Sequence, residues 1–220
     1  MTIDLKSKSW TPTDVVDVTG PSALLRNYLE QRDVRRYLQQ AASRTMTRRA
    51  FDVGCGFGRL TPVLTECADD VTGFERETAL VDTARRLLPK LRFERVDTLE
   101  QLPAADASAQ FVLTFTVLQH MPDARAEAVL TEIRRVLAPA GHLLLVEETD
   151  ATLEAGDPAR ADLGYTRGRP IAWYAERFQP STLLATSPRV IEPGYPRPDV
   201  GTYMARARRM ASRADRKSVV

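Results

Sequence analysis

Three glycines at alternate positions, Gly54, Gly56 and Gly58, follow Phe51-Asp52-Val53 and precede Arg59-Leu60. Glycine is used where backbone must take a positive φ or let a ligand approach closely. An aromatic and β-branched lead-in, a glycine turn and then a helical pattern read as strand, tight turn and helix. Such a turn delivers a ligand to the N-terminus of the helix; the alternative is a turn that only reverses the chain. The spacing departs from the dinucleotide fingerprint G-x-G-x-x-G. Gly54 and Gly56 fit it, Arg59 occupies the third slot, and the third glycine comes one residue early at Gly58.

Further along, single polar residues stand where strands are expected to end. Glu75 closes Val71-Thr72-Gly73-Phe74-Glu75, 21 residues after Gly54. A carboxylate at that separation can accept from both hydroxyls of a ribose, or it is a solvated acid favoured by a helix N-terminus. Asp97 closes a third strand and is either a ligand acceptor or a helix N-cap, with Glu100 completing a capping box. His120 follows the fourth strand. An imidazole with an ordinary pKa of about 6.5 suits proton transfer near neutral pH; capping or packing against the next helix is the alternative.

Positioning these residues requires alternating elements. Strands are expected at 48–53, 70–75, 91–97, 110–116 and 141–148, with helices at 58–68, 77–88 and 123–137. The last helix is the clearest: Ala126, Val129, Leu130, Ile133, Val136 and Leu137 share one face. The run Leu143-Leu144-Leu145-Val146 suits a strand buried on both faces. The alternation implies a parallel sheet with right-handed crossovers. In such sheets ligands bind beyond the carboxyl ends of the strands, which is where Glu75, Asp97 and His120 fall. Residues 21–38 suggest one or two helices, 150–170 a long loop of the kind used as a lid, 171–179 a short helix, and 182–192 and 199–209 a terminal strand pair.

The chain's 220 residues suit one domain divided as an arm (1–45), a ligand-binding core (46–149), a substrate loop and helix (150–180), a strand pair (181–210) and a basic tail (211–220). A net charge of +2 gives no overall field for a polyanion, although Arg206, Arg208, Arg209, Arg213, Arg216 and Lys217 crowd the C-terminal end. Cys55 and Cys67 make no disulfide framework and have no metal-ligand spacing. Cys55 lies within the glycine turn, where a small side chain fits, and packing is the expected role of both. No window approaches the roughly 18 apolar residues of a membrane span, and no apolar signal core opens the chain, so a cytoplasmic protein is expected.

The run Asp52-Val53-Gly54-Cys55-Gly56-Phe57-Gly58-Arg59 resembles the first motif of class I S-adenosylmethionine-dependent methyltransferases. Val117-Leu118-Gln119-His120-Met121-Pro122-Asp123 is similar to the segment after the fourth strand in the small-molecule members. Arg134-Arg135-Val136-Leu137-Ala138-Pro139-Ala140-Gly141-His142-Leu143 is similar to the helix-turn-strand that follows. The resemblance covers roughly residues 48–148. It implies an α/β, Rossmann-like, seven-stranded and mostly parallel sheet with helices on both faces and an N-terminal helical arm. It implies S-adenosyl-L-methionine as cofactor, held by Asp52, Gly54, Cys55, Gly56, Gly58, Glu75 with Arg76, and Asp97 with Thr98 and Leu99 at the adenine. Backbone at Phe115 and Thr116 would meet the methionyl amine, and Leu118 and Gln119 would lie near adenine or the methyl group. Arg59 is either a partner of the cofactor's carboxylate or a surface residue.

Methyl transfer to an oxygen or nitrogen of a small molecule, a natural-product intermediate among them, is the activity implied, with His120 as the candidate base. Trp10, Tyr28, Trp173, Tyr174 and Tyr195 are candidates to wall an apolar acceptor pocket or to pack in the ordinary way. Partners are a small-molecule substrate, with neither nucleic acid nor membrane; a monomer or homodimer is expected, and no metal. Phe115-Thr116-Val117-Leu118 lacks the Asn or Asp and the prolines that position a nucleobase amine in related enzymes. The rival readings are a nicotinamide-dependent oxidoreductase and a non-catalytic methyltransferase-like binding domain.

Overall fold

The computed structural model describes residues 21–42, 47–149, 154–155, 165–178, 182–189 and 200–206. The arm before residue 21, most of the loop over 150–164, the basic tail, Trp10 and Tyr195 lie outside the described residues.

Five strands form the parallel body: β1 (Thr47–Val53), β2 (Ala68–Glu75), β3 (Arg92–Arg95), β4 (Ala109–Phe115) and β5 (Leu137–Glu148). They lie side by side in the order β3-β2-β1-β4-β5. Reversal of order between β2-β1 and β4 creates the crevice at which open α/β sheets hold ligands. Strands β6 (Glu154–Ala155) and β7 (Thr166–Arg167) pair with each other apart from this sheet; beyond β5, β9 (Val200–Arg206) runs antiparallel to it, and β8 (Thr182–Arg189) runs antiparallel to β9.

Period-two side-chain alternation sorts the apolar residues of each central strand onto two faces. Phe51, Val53, Val112, Leu143 and Leu145 point to one face. There they meet α4 (Asp123–Val136) through Ala126, Val129, Leu130, Ile133 and Val136, and α5 (Ile171–Arg177) through Tyr174. Ala50, Phe111, Leu113, Leu144 and Val146 point to the other. That face is covered by Val63 and Leu64 of α2 (Thr61–Leu64) and by Val34, Tyr37 and Leu38 of α1 (Pro21–Ala42). Residues 21–42, read from the sequence as one or two helices, are one continuous helix. Its apolar residues at i, i+3 and i+4 from Val34 make the stripe that reaches the sheet. On the β2–β3 side, α3 (Thr78–Leu87) contributes Val81 and Ala84 to a small cluster with Cys55 and Phe93. No helix among the described residues is long and apolar enough to cross a membrane.

Three sequence expectations shift. The helix expected over 58–68 shrinks to α2, because Gly54, Gly56 and Gly58 hold φ at +75°, +57° and +81° and β2 already begins at Ala68. The break expected at Pro139–Gly141 is instead an irregularity inside β5, with pairing passing from Ala109↔Leu137 to Phe111↔His142 and Ala140 at φ +63°. No helix starts after Asp97. Thr98 Oγ1 accepts from Glu100 N–H at 3.1 Å, and the Glu100 carboxylate pairs with Arg125 at 2.6 Å. The Asp97–Glu100 capping box is thus absent, a local pattern overridden by a long-range ion pair.

Candidate cofactor and acceptor site

The glycine turn closes on β2. Gly54 and Cys55 both donate their N–H to the Phe74 carbonyl, at 2.9 and 3.1 Å, and Gly58 N–H returns to the Cys55 carbonyl at 3.0 Å. Its glycines serve different ends. A Cβ on Gly54 would lie 2.5 Å from Val117 Cγ2, and one on Gly58 would lie 2.7 Å from Phe93 Cζ, so both are packing glycines. A Cβ on Gly56 would meet nothing within 4 Å. Beside that open space stands Glu75, whose Oε2 accepts from Gly56 N–H at 2.9 Å. Its Oε1 takes the N–H groups of Arg76 and Glu77 at 2.7 and 3.0 Å. The carboxylate is locked at the β2 terminus above an uncovered stretch of backbone. Arg76 Nε is buried there without a hydrogen-bond partner. A ribose-bearing ligand fits this cradle: an acid for its hydroxyls, and backbone with no side chain in the way.

Asp52 lies beneath the turn rather than in it. Its carboxylate is buried and accepts from Thr61 Oγ1 at 2.6 Å, tying β1 to the first turn of α2. Burial raises its pKa to about 7 against the opposing pull of Thr61 and Arg59. Burial likewise pushes the Cys55 thiol well above its ordinary value, and Cys67 up to about 11, so both are held as neutral thiols. Arg59 turns toward α1: it pairs with Glu30, reaches Asn27 Oδ1 at 3.1 Å, and lies over the Phe115 ring at 5.4 Å. Glu30 and Asn27 stand on a helix that sequence periodicity marks only as a covering element.

Asp97 is strongly exposed at the end of β3, its Oδ1 accepting from Arg95 at 2.6 Å. Leu99 packs into the core beside it. The β4 exit carries backbone strain. Thr116 holds φ at +55°, an outlier for a β-branched residue. Its N–H reaches across to the Val146 carbonyl at 2.7 Å.

The chain then makes a 3-10 turn, Leu118–His120, clamped from both sides. Glu147, fully buried at the end of β5, accepts the N–H groups of Val117, Leu118 and Gln119 at 3.1, 3.0 and 2.9 Å. Burial raises its pKa to about 7, opposed by those three bonds and by Arg169. Arg169, 1% exposed, donates to the carbonyls of Leu118 and Met121 at 2.9 and 2.5 Å and to Asp123 at 2.8 Å. Burial pushes Asp123 up, but its Arg169 hydrogen bond and the charges of Arg169 and Arg167 leave it below the usual carboxylate range. Sequence reasoning missed Glu147 and Arg169. Two adjacent acids, Glu147-Glu148, closing the apolar run Leu143–Val146 were the signal for the first; Arg169 lies in a segment that reads as loop.

Gln119 and His120 belong to this turn. The Gln119 amide is directed into the protein, accepting from Glu148 N–H at 3.1 Å. His120 Nδ1 lies 2.7 Å from the Tyr165 carbonyl. Of the aromatics outside the core motifs, Tyr174 is wholly buried. Trp173 is stacked under the Arg169 and Arg177 guanidiniums at 4.9 and 3.6 Å, and Tyr28 is 61% exposed. The site thus brings together the glycine turn, Glu75, the Thr116 backbone and the 118–120 turn at the strand ends. Asp52 supports it from below.

Comparison with known proteins places this geometry among relatives. Residues 50–141 match the family described as "Methyltransferase domain". A protein of Mycolicibacterium smegmatis described as a "Probable S-adenosylmethionine-dependent methyltransferase" is 31% identical over 149 residues, covering 68% of this chain and 56% of the relative. Trans-aconitate 2-methyltransferase of Sinorhizobium medicae is 35% identical over 97 residues, covering 43% of this chain and 36% of the relative. The chain thus spans about half the length of the first relative and about a third of the second. A solved Pyrococcus horikoshii protein superposes over 90% of this chain and 96% of its own, with a TM-score of 0.68 at 15% identity, which shows a shared fold.

Proposed function

We propose that this chain, whose residues 50–141 belong to the class I S-adenosylmethionine-dependent methyltransferases, transfers a methyl group from S-adenosylmethionine to a small-molecule acceptor at oxygen or nitrogen. Natural-product intermediates are among the acceptors this reading admits. A relative named for methylating trans-aconitate supports the small-molecule class. The observation that carries the cofactor reading is the Glu75 carboxylate fixed against Gly56 N–H beside open space.

When bound, the cofactor supplies an activated methyl group, so the protein's work is chiefly alignment. Glu75 would accept the ribose hydroxyls, with Gly54, Gly56 and Gly58 keeping the turn close. Asp97, Thr98 and Leu99 would meet the adenine, and the strained backbone at Phe115–Thr116 the methionyl amine. Arg59, set toward Glu30, would pair with the cofactor's carboxylate. His120 would take the proton of an acceptor hydroxyl. We read the whole chain as one domain, with β8 and β9 completing seven strands and α1 covering the acceptor side as an arm.

Calorimetric titration with S-adenosylhomocysteine, with NAD in parallel, tests the reading on wild type and Glu75→Ala. Micromolar binding of the first that is lost in the variant, with no binding of NAD, is the expected result. Binding of NAD in place of S-adenosylhomocysteine overturns it.

A further inference from the structure

Arg59 is held by one nitrogen and one face of its guanidinium. Nη1 donates both to Glu30, in a pair whose side chains are only 12% and 8% exposed, and to Asn27 Oδ1 at 3.1 Å. The face lies over the Phe115 ring, 5.4 Å from its centroid, one residue before the strained Thr116. Among the described residues no hydrogen bond engages Nε or Nη2 of Arg59. Those two nitrogens form the side of the planar group whose parallel N–H bonds match a carboxylate. The hold comes from α1. Asn27 and Glu30 stand three residues apart and share one face of the helix, and Val34, four residues further on, packs against the sheet. Gln31 Nε2 also donates to Asn27 Oδ1, at 3.3 Å, so the amide oxygen is the end turned to both donors. A neutral amide directs Arg59 without adding a charge that would repel a second anion on the same guanidinium.

We infer that Asn27 is a positioning residue: by taking Nη1 it holds Arg59 with the Nε–Nη2 side left to the carboxylate of the cofactor's amino-acid end. This role deepens the cofactor reading of the site and rests on it. An arginine free to sample its rotamers must be ordered when a ligand binds, and one already held loses less freedom. A helix that otherwise only covers the sheet thereby sets part of the cofactor's affinity. It does so at the amino-acid end alone, so a ligand that keeps the nucleoside and lacks that end is indifferent to Asn27.

Two ligands separate the ends of the cofactor: S-adenosylhomocysteine carries the amino-acid group, and methylthioadenosine lacks it. Each is titrated calorimetrically into the full chain as wild type, Asn27→Ala, Arg59→Lys and the double variant. Alanine is the better helix former, so Asn27→Ala leaves α1 intact. Lysine keeps the charge and can still pair with Glu30, but it has no fork. Asn27→Ala is expected to weaken S-adenosylhomocysteine at least about fivefold and Arg59→Lys at least about tenfold, while methylthioadenosine stays within about twofold of wild type in both. In the double variant Asn27→Ala adds nothing to Arg59→Lys, because it acts through the arginine. Equal weakening of both ligands, no weakening in Asn27→Ala, or additive effects of the two substitutions overturns the inference. Wild type that binds methylthioadenosine but not S-adenosylhomocysteine overturns it too and leaves the ribose cradle standing. Wild type that binds neither overturns the cofactor reading and the inference with it.

Discussion

At Gly54 an alanine would combine a backbone at φ +75° with a Cβ 2.5 Å from Val117 Cγ2, whereas at Gly56, φ +57°, the Cβ would enter open space. The left-handed backbone costs an L-residue roughly 1–2 kcal/mol, and only Gly54 adds a clash. Gly54→Ala is expected to lose more than about 2 kcal/mol of stability in urea denaturation. Gly56→Ala is expected to lose about 1 kcal/mol, yet to bind S-adenosylhomocysteine at least about tenfold more weakly, because its methyl group occupies the cradle. Equal effects of the two substitutions on affinity and stability would deny the distinction. This part of the site was legible in the sequence, since three glycines and an acid at a fixed separation are a local code. The different tasks of the glycines were not: they depend on Val117 and Phe93, which no local pattern links to the turn. Arg59 was left between two roles for the same reason. Its partner Glu30 stands 29 residues earlier.

Among the elements, the 118–120 turn depends most on buried charge. Asp52 and Glu147 are raised to about 7 from 3.8 and 4.5 by burial, so between about pH 4.5 and 7 the folded state binds protons that the unfolded chain has released. Their contribution to stability is full below the unfolded values and is lost as pH rises through 7, at about 1.4 kcal/mol per pH unit for each group. Glu147→Gln should remove its share of that slope in denaturation curves taken across the window; an unchanged slope would show that Glu147 does not titrate there. On the opposite side of the turn, Arg169→Met leaves the Leu118 and Met121 carbonyls and Glu147 without their cation. A loss of about 3–5 kcal/mol is expected, with hydrogen exchange quickening first at residues 117–121. The sequence identified this segment by resemblance and placed β4, α4 and β5 within a few residues. It could not disclose the clamp, because Glu147 and Arg169 act across separations of 28 to 51 residues and neither belongs to a repeating pattern.

On the scale of the whole molecule, the parallel body could be read from the alternation of strands and helices, because the central strands β1, β4 and β5 are apolar on both faces. The covering of the second face could not. α1 is mostly polar, and its link to the site is the partly buried pair Glu30–Arg59. Glu30→Gln should quicken hydrogen exchange in α1 at least about tenfold while β1, β4 and β5 exchange as before, the behaviour of a cover that opens separately from its core. Faster exchange throughout the sheet would mean that α1 is part of the core itself. The pairing of β5 with β9 bears on how the protein is made. β5 ends at Glu148 and its antiparallel neighbour begins at Val200, so a ribosome releases Leu143-Leu144-Leu145-Val146 some fifty residues before the strand that covers its open side. During synthesis that apolar edge is a template for pairing with other chains. A product stopped short of Val200 should accumulate as aggregates rather than as a smaller folded enzyme, and the demand for a chaperone should be greatest in that interval.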